Sequence, residues 1–314
     1  MQLVFMGTSE FAVPTLEALV ASEHTLLGVV TQPDSASGRG QQLTPPAVKR
    51  AALEHELSIY QPERVRDAAF IQILNQLNPE AIVLAAYGQI LSKRILDIPP
   101  SGCINIHPSL LPKYRGAAPI QRAIINGERT TGLTIMLMDE GEDTGDIILQ
   151  KEVEISNDDT AITLHDKLAQ IAADLLLEAL ALAKNGLPPH YPQNEAEATY
   201  APKLTKEDGL IDWNKSDIQI RSLVRGTLPW PGGYTYFGEG KLLKVLACEI
   251  TDIPMMEASP GIIYITEEKE IAVKAAEGAV LLKTMQPADK KSMDAKAFIN
   301  GYRIKTGDRF GNED

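Results

Sequence analysis

In the first part of the chain, apolar runs alternate with a stretch in which apolar residues recur at helical spacing. An apolar run at residues 3–6 precedes apolar residues at helical spacing over 11–21, and a second apolar run follows at 26–31. This strand–helix–strand order, with strands that are apolar throughout, predicts an α/β domain with a parallel sheet. Further along, the pattern predicts helices at 47–57, 67–77, 118–126 and 163–185, and strands at 81–86, 103–106, 133–138 and 147–153.

The pattern changes near residue 186. Residues 187–206 hold several prolines and little periodicity, which is typical of a linker. Beyond them, the sequence predicts a small barrel or sandwich from short strands at 234–237, 242–250, 261–265, 271–275 and 279–285, with a helix at 294–300. We expect Trp213 and Trp230 to anchor its core rather than to stack on bases. The predicted domains are residues 1–189 and 207–314, joined by a linker over 190–206.

Composition, charge and glycine spacing exclude several classes of protein. The 314-residue chain has a formal net charge of −12, which argues against non-specific nucleic-acid binding. Its start lacks the basic flank of a signal peptide, and no apolar run reaches the ~18–20 residues of a membrane helix. Cys103 and Cys248 make no disulfide framework or metal cluster, and Gly7 stands alone where a dinucleotide fingerprint needs three glycines. We therefore expect a cytoplasmic protein without a metal site.

Two polar side chains stand at the end of the strand predicted at 103–106. Asn105 and His107 are two positions apart, so an extended strand places both on one face. Pro108 cannot continue a central strand, which puts the pair at the end of that strand. Ligands of open α/β sheets bind at the carboxyl ends of strands, so this pair predicts a functional site.

An acidic loop at residues 139–146 follows the next predicted strand. Gly141 and Gly145 bracket Asp143, and glycines permit backbone conformations closed to other residues, which would allow Asp143 to turn inward. Acidic residues are also common in solvated turns, so the spacing leaves both interpretations open.

Asn105, His107 and an acid from this loop suit the transfer of an acyl-type group between nitrogens. An amide and an imidazolium can donate hydrogen bonds to the oxyanion of a tetrahedral intermediate. A nearby carboxylate favours the imidazolium and orients the ring. Cys103 is a rival nucleophile, with His107 as its base. Four residues along a strand span roughly 13 Å, however, which favours a core position for Cys103.

Basic residues occur in two places where RNA could bind. Residues 32–46 form a loop rich in Pro, Gly and Ser that carries Arg39, and the loop is either a surface connection or an arm that contacts phosphate. Lys290, Lys291 and Arg303 belong to a basic tail, which is either solvated charge or a phosphate-facing patch.

Two motifs identify a family. The run Asn105-Ile-His107-Pro-Ser-Leu-Leu-Pro112-x-Tyr-Arg-Gly116 resembles the signature of the folate-dependent formyltransferases. The run Asp139-Glu-Gly-Glu-Asp143-Thr-Gly-Asp resembles their second active-site loop. Other matching runs begin at Val4, Thr31, Val83, Ala117 and Trp230, so the resemblance covers the whole chain.

The resemblance implies a fold, a reaction and partners. The fold is a Rossmann-like formyltransferase domain with a parallel-type sheet, followed by a small C-terminal β-barrel of the oligonucleotide-binding type. The formyl donor is 10-formyltetrahydrofolate, and the acceptor is the amino group of methionyl initiator tRNA, in support of translation initiation. The family also suggests a monomer without a metal.

Carried over position by position, the resemblance implies a catalytic set of Asn105, His107 and Asp143. Asn105 and protonated His107 would stabilise the oxyanion, while Asp143 would support His107 and assist proton removal from the amine. The implied folate-binding residues are Ala85, Tyr87, Gly88, Gln89, Ile90, Ser109, Leu110, Leu111, Pro112, Asp139 and Glu142. The implied tRNA-binding residues are Arg39, Lys290, Lys291 and Arg303, although the Arg39 loop has fewer cations than the family pattern.

Three other functions are compatible with parts of the sequence. The same folate chemistry could serve a sugar nucleotide or glycinamide ribonucleotide, the folate could be hydrolysed, or the scaffold could bind RNA without catalysis. Transfer to a small acceptor or to water gives no reason for a second domain. RNA binding without catalysis gives no reason for the three residues Asn105, His107 and Asp143.

Overall fold

The protein folds into two compact units. The structure is a computed structural model that describes residues 1–37, 42–183, 186–255 and 258–311. Unit 1 comprises Met1–Pro119, Thr130–Glu154 and His165–Ala201, and unit 2 comprises Ile120–Arg129, Ile155–Leu164 and Pro202–Asp314. Of the stretch predicted as a linker, residues 190–201 belong to unit 1 and residues 202–206 to unit 2.

Unit 1 is built on a seven-stranded sheet. Its strands are β1 (Gln2–Gly7), β2 (Thr25–Val30), β5 (Ile59–Tyr60), β6 (Ala81–Ala85), β7 (Cys103–His107), β8 (Thr130–Leu137) and β9 (Ile147–Glu154), in the spatial order β5-β2-β1-β6-β7-β8-β9. A separate two-stranded hairpin pairs β3 (Ser35–Ser37) with β4 (Gln42–Thr44). The helices in this part of the chain are α1 (Val13–Ala21), α2 (Ala47–Glu54), α3 (Ala68–Leu77), α4 (Lys93–Leu96), α5 (Pro119–Ile125) and α6 (Ala161–Leu182).

The strand order creates a crevice beside β1. The chain runs from β1 to β2 on one side and returns to β6 on the other, and all three strands are parallel. Ligands of open α/β sheets bind at such a reversal, outside the carboxyl ends of the strands. The buried interior of β1 and β6 is apolar because helices cover both faces of a parallel sheet.

The predicted α/β domain is confirmed, with differences in detail. The sheet is mixed, because β8 pairs antiparallel with both β7 and β9. The acidic loop joins β8 directly to β9 without a crossover helix, and such a connection permits only antiparallel pairing. The apolar pattern did not predict α4, β5 or the hairpin of β3 and β4, all of which are too short to show a clear period.

Unit 2 contains a five-stranded antiparallel sheet. The strands are β10 (Gly233–Phe237), β11 (Lys241–Thr251), β12 (Ile263–Ile265), β13 (Ile271–Lys274) and β14 (Ala279–Pro287), in the order β10-β11-β14-β13-β12, with helices α7 (Asp217–Gly226) and α8 (Ala295–Tyr302). Phe310 bridges to Phe237 of the edge strand β10, and Arg309 bridges to Ile262 beside the other edge strand. The chain at 309–310 thus spans the gap between the edges and gives the small barrel that the sequence predicted.

The core of unit 2 contains one of the two tryptophans that were predicted to anchor it. Trp213 is 4% exposed and donates from Nε1 to Oγ1 of Thr235 at 3.0 Å, which confirms its predicted core role. Trp230 is 50% exposed, so its predicted core role is wrong. Prolines on both sides keep the segment around Trp230 out of any strand, and its ring stays at the surface.

Helices long and apolar enough to cross a membrane are absent from the ranges that the structure describes.

Replacing Phe298 with Ala should destabilise unit 2 by about 3–5 kcal/mol. Phe298 is fully buried on α8, and its ring centroid lies 5.1 Å from that of Phe237 and 4.8 Å from that of Tyr302. Denaturant unfolding followed by tryptophan fluorescence measures this unit, because both tryptophans lie in it.

The control is Ile218→Ala, which truncates an aliphatic side chain that is 61% exposed on α7 and should change stability by no more than about 0.5 kcal/mol. Equal effects of the two variants would contradict the assigned core.

Candidate active site

Asn105 and His107 lie on the strand β7, which is held on both sides. Asn105 pairs with Leu84 of the parallel strand β6 and with Met136 of the antiparallel strand β8. His107 is 4% exposed and Asn105 is half-buried. Two ladders of backbone hydrogen bonds therefore fix the direction in which both side chains leave the strand.

The imidazole of His107 has one ring nitrogen committed to the backbone. Its Nε2 lies 2.9 Å from the carbonyl oxygen of Tyr114. A carbonyl oxygen can only accept, so Nε2 carries a hydrogen and donates it. The other nitrogen, Nδ1, lies 3.5 Å from Oδ2 of Asp143. That separation suits an ion pair and is long for a hydrogen bond, so Nδ1 is the ring nitrogen still available for another partner.

Asp143 reaches this pair from the acidic loop between β8 and β9. Its Oδ2 accepts a hydrogen bond from the backbone N–H of Gly116 at 2.9 Å, and its side chain is 17% exposed. The backbone of Asp143 is left-handed, with φ at +54°, which is an uncommon conformation for a residue with a Cβ atom. The structure thus brings Asp143 together with His107.

The glycines of this loop act differently from the expectation. Neither Gly141 nor Gly145 has a positive φ; the left-handed residue is Asp143 itself. A Cβ atom at Gly145 would overlap the carbonyl oxygen of Leu137, and one at Gly141 would overlap Oγ1 of Thr144. The glycines are therefore required by close approach of the chain to itself.

The amide of Asn105 is free for a ligand. It makes no hydrogen bond to any residue that the structure describes, although its strand is almost completely buried. Polar groups in buried surroundings are normally hydrogen-bonded, so the amide is suited to donate to a substrate oxygen.

The last residue of β6 and the segment after it contribute five of the predicted folate-binding residues. Ala85 is fully buried, Tyr87 is 3% exposed and Ile90 is 88% exposed. The carbonyl oxygen of Tyr87 accepts from Thr8 at 2.8 Å and from Gln32 at 3.0 Å. Burial raises the pKa of the Tyr87 phenol to about 12, and its hydroxyl has no partner among the described residues.

Gly88 and Gln89 shape the same segment. Gly88 has a φ of +84°, and the side chain of Gln89 accepts from the backbone N–H of Val65 at 2.8 Å. The side chain of Gln89 is therefore engaged with the segment at residues 62–65, and its backbone is the part left for a ligand.

The turn after β7 holds four more of the predicted folate-binding residues, at positions 109–112, and is anchored by two side chains that the sequence pattern did not predict. Oγ1 of Thr134 donates to the carbonyl oxygen of Ser109 at 2.7 Å and accepts from the N–H of Leu111 at 3.1 Å. Gln150 donates from Nε2 to the carbonyl oxygen of Leu111 at 2.8 Å. A Cβ atom at Gly132 would lie 2.5 Å from Cδ2 of Leu110, so β8 must pass close beneath this turn.

The remaining members of the turn and the acidic loop differ in exposure. Ser109 is fully buried and donates to the carbonyl oxygen of Lys113 at 2.6 Å, and Pro112 accepts from the N–H of Thr199. Asp139 accepts from Gly141 and Thr144 and so closes its own loop. Glu142 is exposed.

Cys103 is a core residue, as the sequence favoured. It is 2% exposed, and it packs with apolar side chains of the sheet. Burial raises the pKa of its thiol to about 12, so a thiolate nucleophile is disfavoured at neutral pH.

The predicted tRNA-binding residues lie away from these contacts along the chain. Arg39 lies outside the residues that the structure describes. Lys290 and Lys291 are exposed after β14, and Arg303 is exposed at the end of α8, all in unit 2. Groups of His, Cys, Asp or Glu able to hold a metal ion are absent within the described ranges.

The comparisons with known proteins identify the family. Residues 1–180 match the family model described as formyl transferase, and residues 203–303 match the one described as formyl transferase, C-terminal domain. The chain is 46% identical over 311 residues to the methionyl-tRNA formyltransferase of Ruminiclostridium cellulolyticum, covering 99% of this chain and 100% of the relative. It is 48% identical over 305 residues to that of Thermodesulfovibrio yellowstonii, with 97% of each chain covered.

Solved structures share the fold at low identity. The sugar 3N-formyl transferase WlaRD matches with a TM-score of 0.68 and 18% identity, over 93% of this chain and 99% of that one. HypX from Aquifex aeolicus in complex with tetrahydrofolic acid matches with a TM-score of 0.65 and 15% identity, over 100% of this chain and 51% of that one. The chain therefore belongs to the formyl transferase family, within the group of the methionyl-tRNA formyltransferases.

Proposed function

We propose that this chain transfers the formyl group of 10-formyltetrahydrofolate to the amino group of methionyl initiator tRNA, in support of translation initiation. The observation that carries the proposal is near-full-length identity of 46–48% to methionyl-tRNA formyltransferases. The arrangement of Asn105, His107 and Asp143 supplies the groups that such a transfer needs.

The reaction exchanges one bond for another. The bond between the methionine nitrogen and the formyl carbon forms, the bond between that carbon and N10 of the folate breaks, and the proton lost by the amine is returned to N10. In between, negative charge develops on the formyl oxygen. We propose that the Asn105 amide and the Nδ1–H of protonated His107 donate to that oxygen. The Nε2–H of His107 stays on the carbonyl of Tyr114 and fixes the ring.

Asp143 lies where it can pair with this imidazolium. With Nε2–H donated to Tyr114, a hydrogen can stand on Nδ1 only in the imidazolium form, and that hydrogen would face the carboxylate oxygen 3.5 Å away. We propose that the carboxylate also assists removal of the proton from the attacking amine. The Gly116 N–H on Oδ2 keeps the carboxylate oriented for both tasks.

The chain's residues fit the folate. A pterin ring needs flat contact surface and backbone donors and acceptors at a strand end. Ile90 presents an exposed apolar side chain, and Tyr87 holds a hydroxyl without a described partner. Positive φ values at Ala86 and Gly88 turn the backbone out of the strand, which exposes its polar groups. We propose that the segments 85–90 and 109–112, with Asp139 and Glu142, bind the folate.

The fold does not by itself select the acceptor. A sugar 3N-formyl transferase shares the fold over 93% of this chain, so a second unit also occurs beside a small acceptor. The sequence identity selects methionyl-tRNA. We propose that Arg39, Lys290, Lys291 and Arg303 contact the phosphates of the tRNA, and that the enzyme is a cytoplasmic monomer.

The acceptor assay tests the proposed function. A purified sample receives 10-formyltetrahydrofolate with methionyl initiator tRNA, with glycinamide ribonucleotide, or with water alone. We expect rapid transfer to the charged tRNA alone. Transfer to the small acceptor would overturn the acceptor assignment, and folate binding without any turnover would favour a regulatory RNA-binding protein.

Replacing Asn105 with Ala should lower turnover by about 10²–10³-fold, because one oxyanion donor is lost. The control is Asn75→Ala, which removes an amide that donates to Ile71 within its own helix. Near-normal turnover of a folded Asn105→Ala variant would remove Asn105 from the mechanism.

Replacing Arg39 with Ala should raise the Michaelis constant for tRNA and leave that for the folate unchanged, because a phosphate contact is lost. The comparison is a double Ala variant of Lys290 and Lys291, measured at the same moderate salt concentration. An unchanged constant for Arg39→Ala, with a raised one for the double variant, would assign the RNA contact to the tail.

A further inference from the structure

A buried arginine, Arg115, lies between His107 and Asp143 in the sequence. The side chain of Arg115 is fully buried, although guanidinium groups are almost never buried unless they are paired. Its neighbour Tyr114 supplies the carbonyl that accepts from His107, and its neighbour Gly116 supplies the N–H that donates to Asp143. Any shift of Arg115 therefore moves the backbone contacts of both side chains.

Side chains from the predicted linker satisfy the guanidinium, and Gln193, Glu195 and Tyr200 all hydrogen-bond to it. Glu195 accepts from Nη1 at 3.0 Å and from Nη2 at 2.7 Å, and Gln193 accepts through Oε1 from Nε at 3.0 Å and from Nη2 at 2.8 Å. Hydrogen bonding between Arg115 and Glu195 raises the pKa of the former and lowers the pKa of the latter, so both stay charged at neutral pH. Fork-shaped pairing of this kind fixes position as well as charge.

The amide of Gln193 continues the network to the acidic loop. Its Nε2 donates to the carbonyl oxygen of Asp143 at 2.8 Å and to that of Gly145 at 2.7 Å. Donors of Arg115 on one side and carbonyls on the other permit a single orientation of the amide. The two bonds hold Asp143 in its left-handed conformation.

The backbone of the same segment, Gln193 to Ala201, backs the chain around Arg115. The N–H of Arg115 donates to the carbonyl of Thr199 at 2.9 Å, and its own carbonyl accepts from the N–H of Ala201 at 2.7 Å. Oγ1 of Thr199 accepts from the N–H of Tyr114 at 2.8 Å. We call residues 193–201 the strap; all of them belong to unit 1.

We propose that Arg115 and Gln193 are positioning residues that set His107 and Asp143 for catalysis, and that the strap is an integral part of the catalytic centre. The proposal rests on the proposed function for its kinetic consequence. Gln193 acts through the backbone of Asp143, and Arg115 connects Gln193 to the stretch that contacts His107. A misplacement of about 1 Å in a catalytic centre lowers the rate by about 10²-fold.

The central variants are Gln193→Leu and Gln193→Glu. Leucine removes every contact of the amide. Glutamate keeps acceptors for Arg115 but turns a carboxylate toward the carbonyls of Asp143 and Gly145. We expect both variants to lower turnover by about 10–10²-fold, with the Michaelis constant for tRNA changed less than about threefold. Wild-type turnover of Gln193→Glu would show that the contact with Asp143 is dispensable, and would overturn the proposal.

A double-variant cycle separates positioning from general damage. In an Asp143→Asn background, Gln193→Leu should lower the residual turnover by less than about threefold, because its effect passes through Asp143. Full additivity of the two effects would contradict the proposal. The matched control is Gln76→Leu, the same substitution at an exposed position of α3 outside the strap, which should keep wild-type turnover.

Amide hydrogen exchange tests the same link without activity. The N–H of Gly116 donates to the Asp143 carboxylate, so Gln193→Leu should speed its exchange by at least about tenfold, and Gln76→Leu should not. Unchanged exchange in Gln193→Leu would overturn the proposal even if the wild type proved inactive with every acceptor. Wild-type inactivity with fast exchange would instead refute the proposed function and keep the positioning link.

Discussion

The hydrogen bond from His107 to the carbonyl of Tyr114 is the contact on which the chemistry of the centre depends. It is 2.9 Å long and it assigns a hydrogen to Nε2, which leaves Nδ1 as the nitrogen that faces the Asp143 carboxylate. A carbonyl group is a reliable orienting partner only when its own peptide is held. The peptide of Tyr114 is held by the strap, so the tautomer of one imidazole depends on Thr199, which lies 85 residues further along the chain than Tyr114.

Much of unit 1 was readable from the sequence because its signals are apolar. The strands at 3–6 and 81–86 are continuous apolar runs, which are typical of parallel strands buried on both faces of a sheet. The strand β7 also placed Asn105 and His107 on one face. The antiparallel pairing of β8 and β9 was not predicted, because the acidic loop looks the same whether a crossover follows it or a hairpin.

Two other segments, the helix α7 and the strap, were not predicted from the sequence. The helix α7 was missed, although Ser216 and Gln219 form a capping box directly before apolar residues at helical spacing. The strap has no apolar period, because its contacts are backbone hydrogen bonds and the polar ends of Gln193 and Glu195. Nothing in the local sequence of Gln193 indicates a partner at Arg115, since residues so distant in the chain meet only through the tertiary fold.

The strap also bears on how this protein can be divided. The two family models match residues 1–180 and 203–303, and the strap lies in the interval between them. A fragment that ended at the first match would keep the seven strands together with Asn105, His107 and Asp143. It would lose the acceptors of a buried guanidinium and the donors to the left-handed aspartate. During synthesis these contacts are likewise incomplete until Ala201 has left the ribosome, which happens well after the last strand of the seven-stranded sheet, β9, has been made.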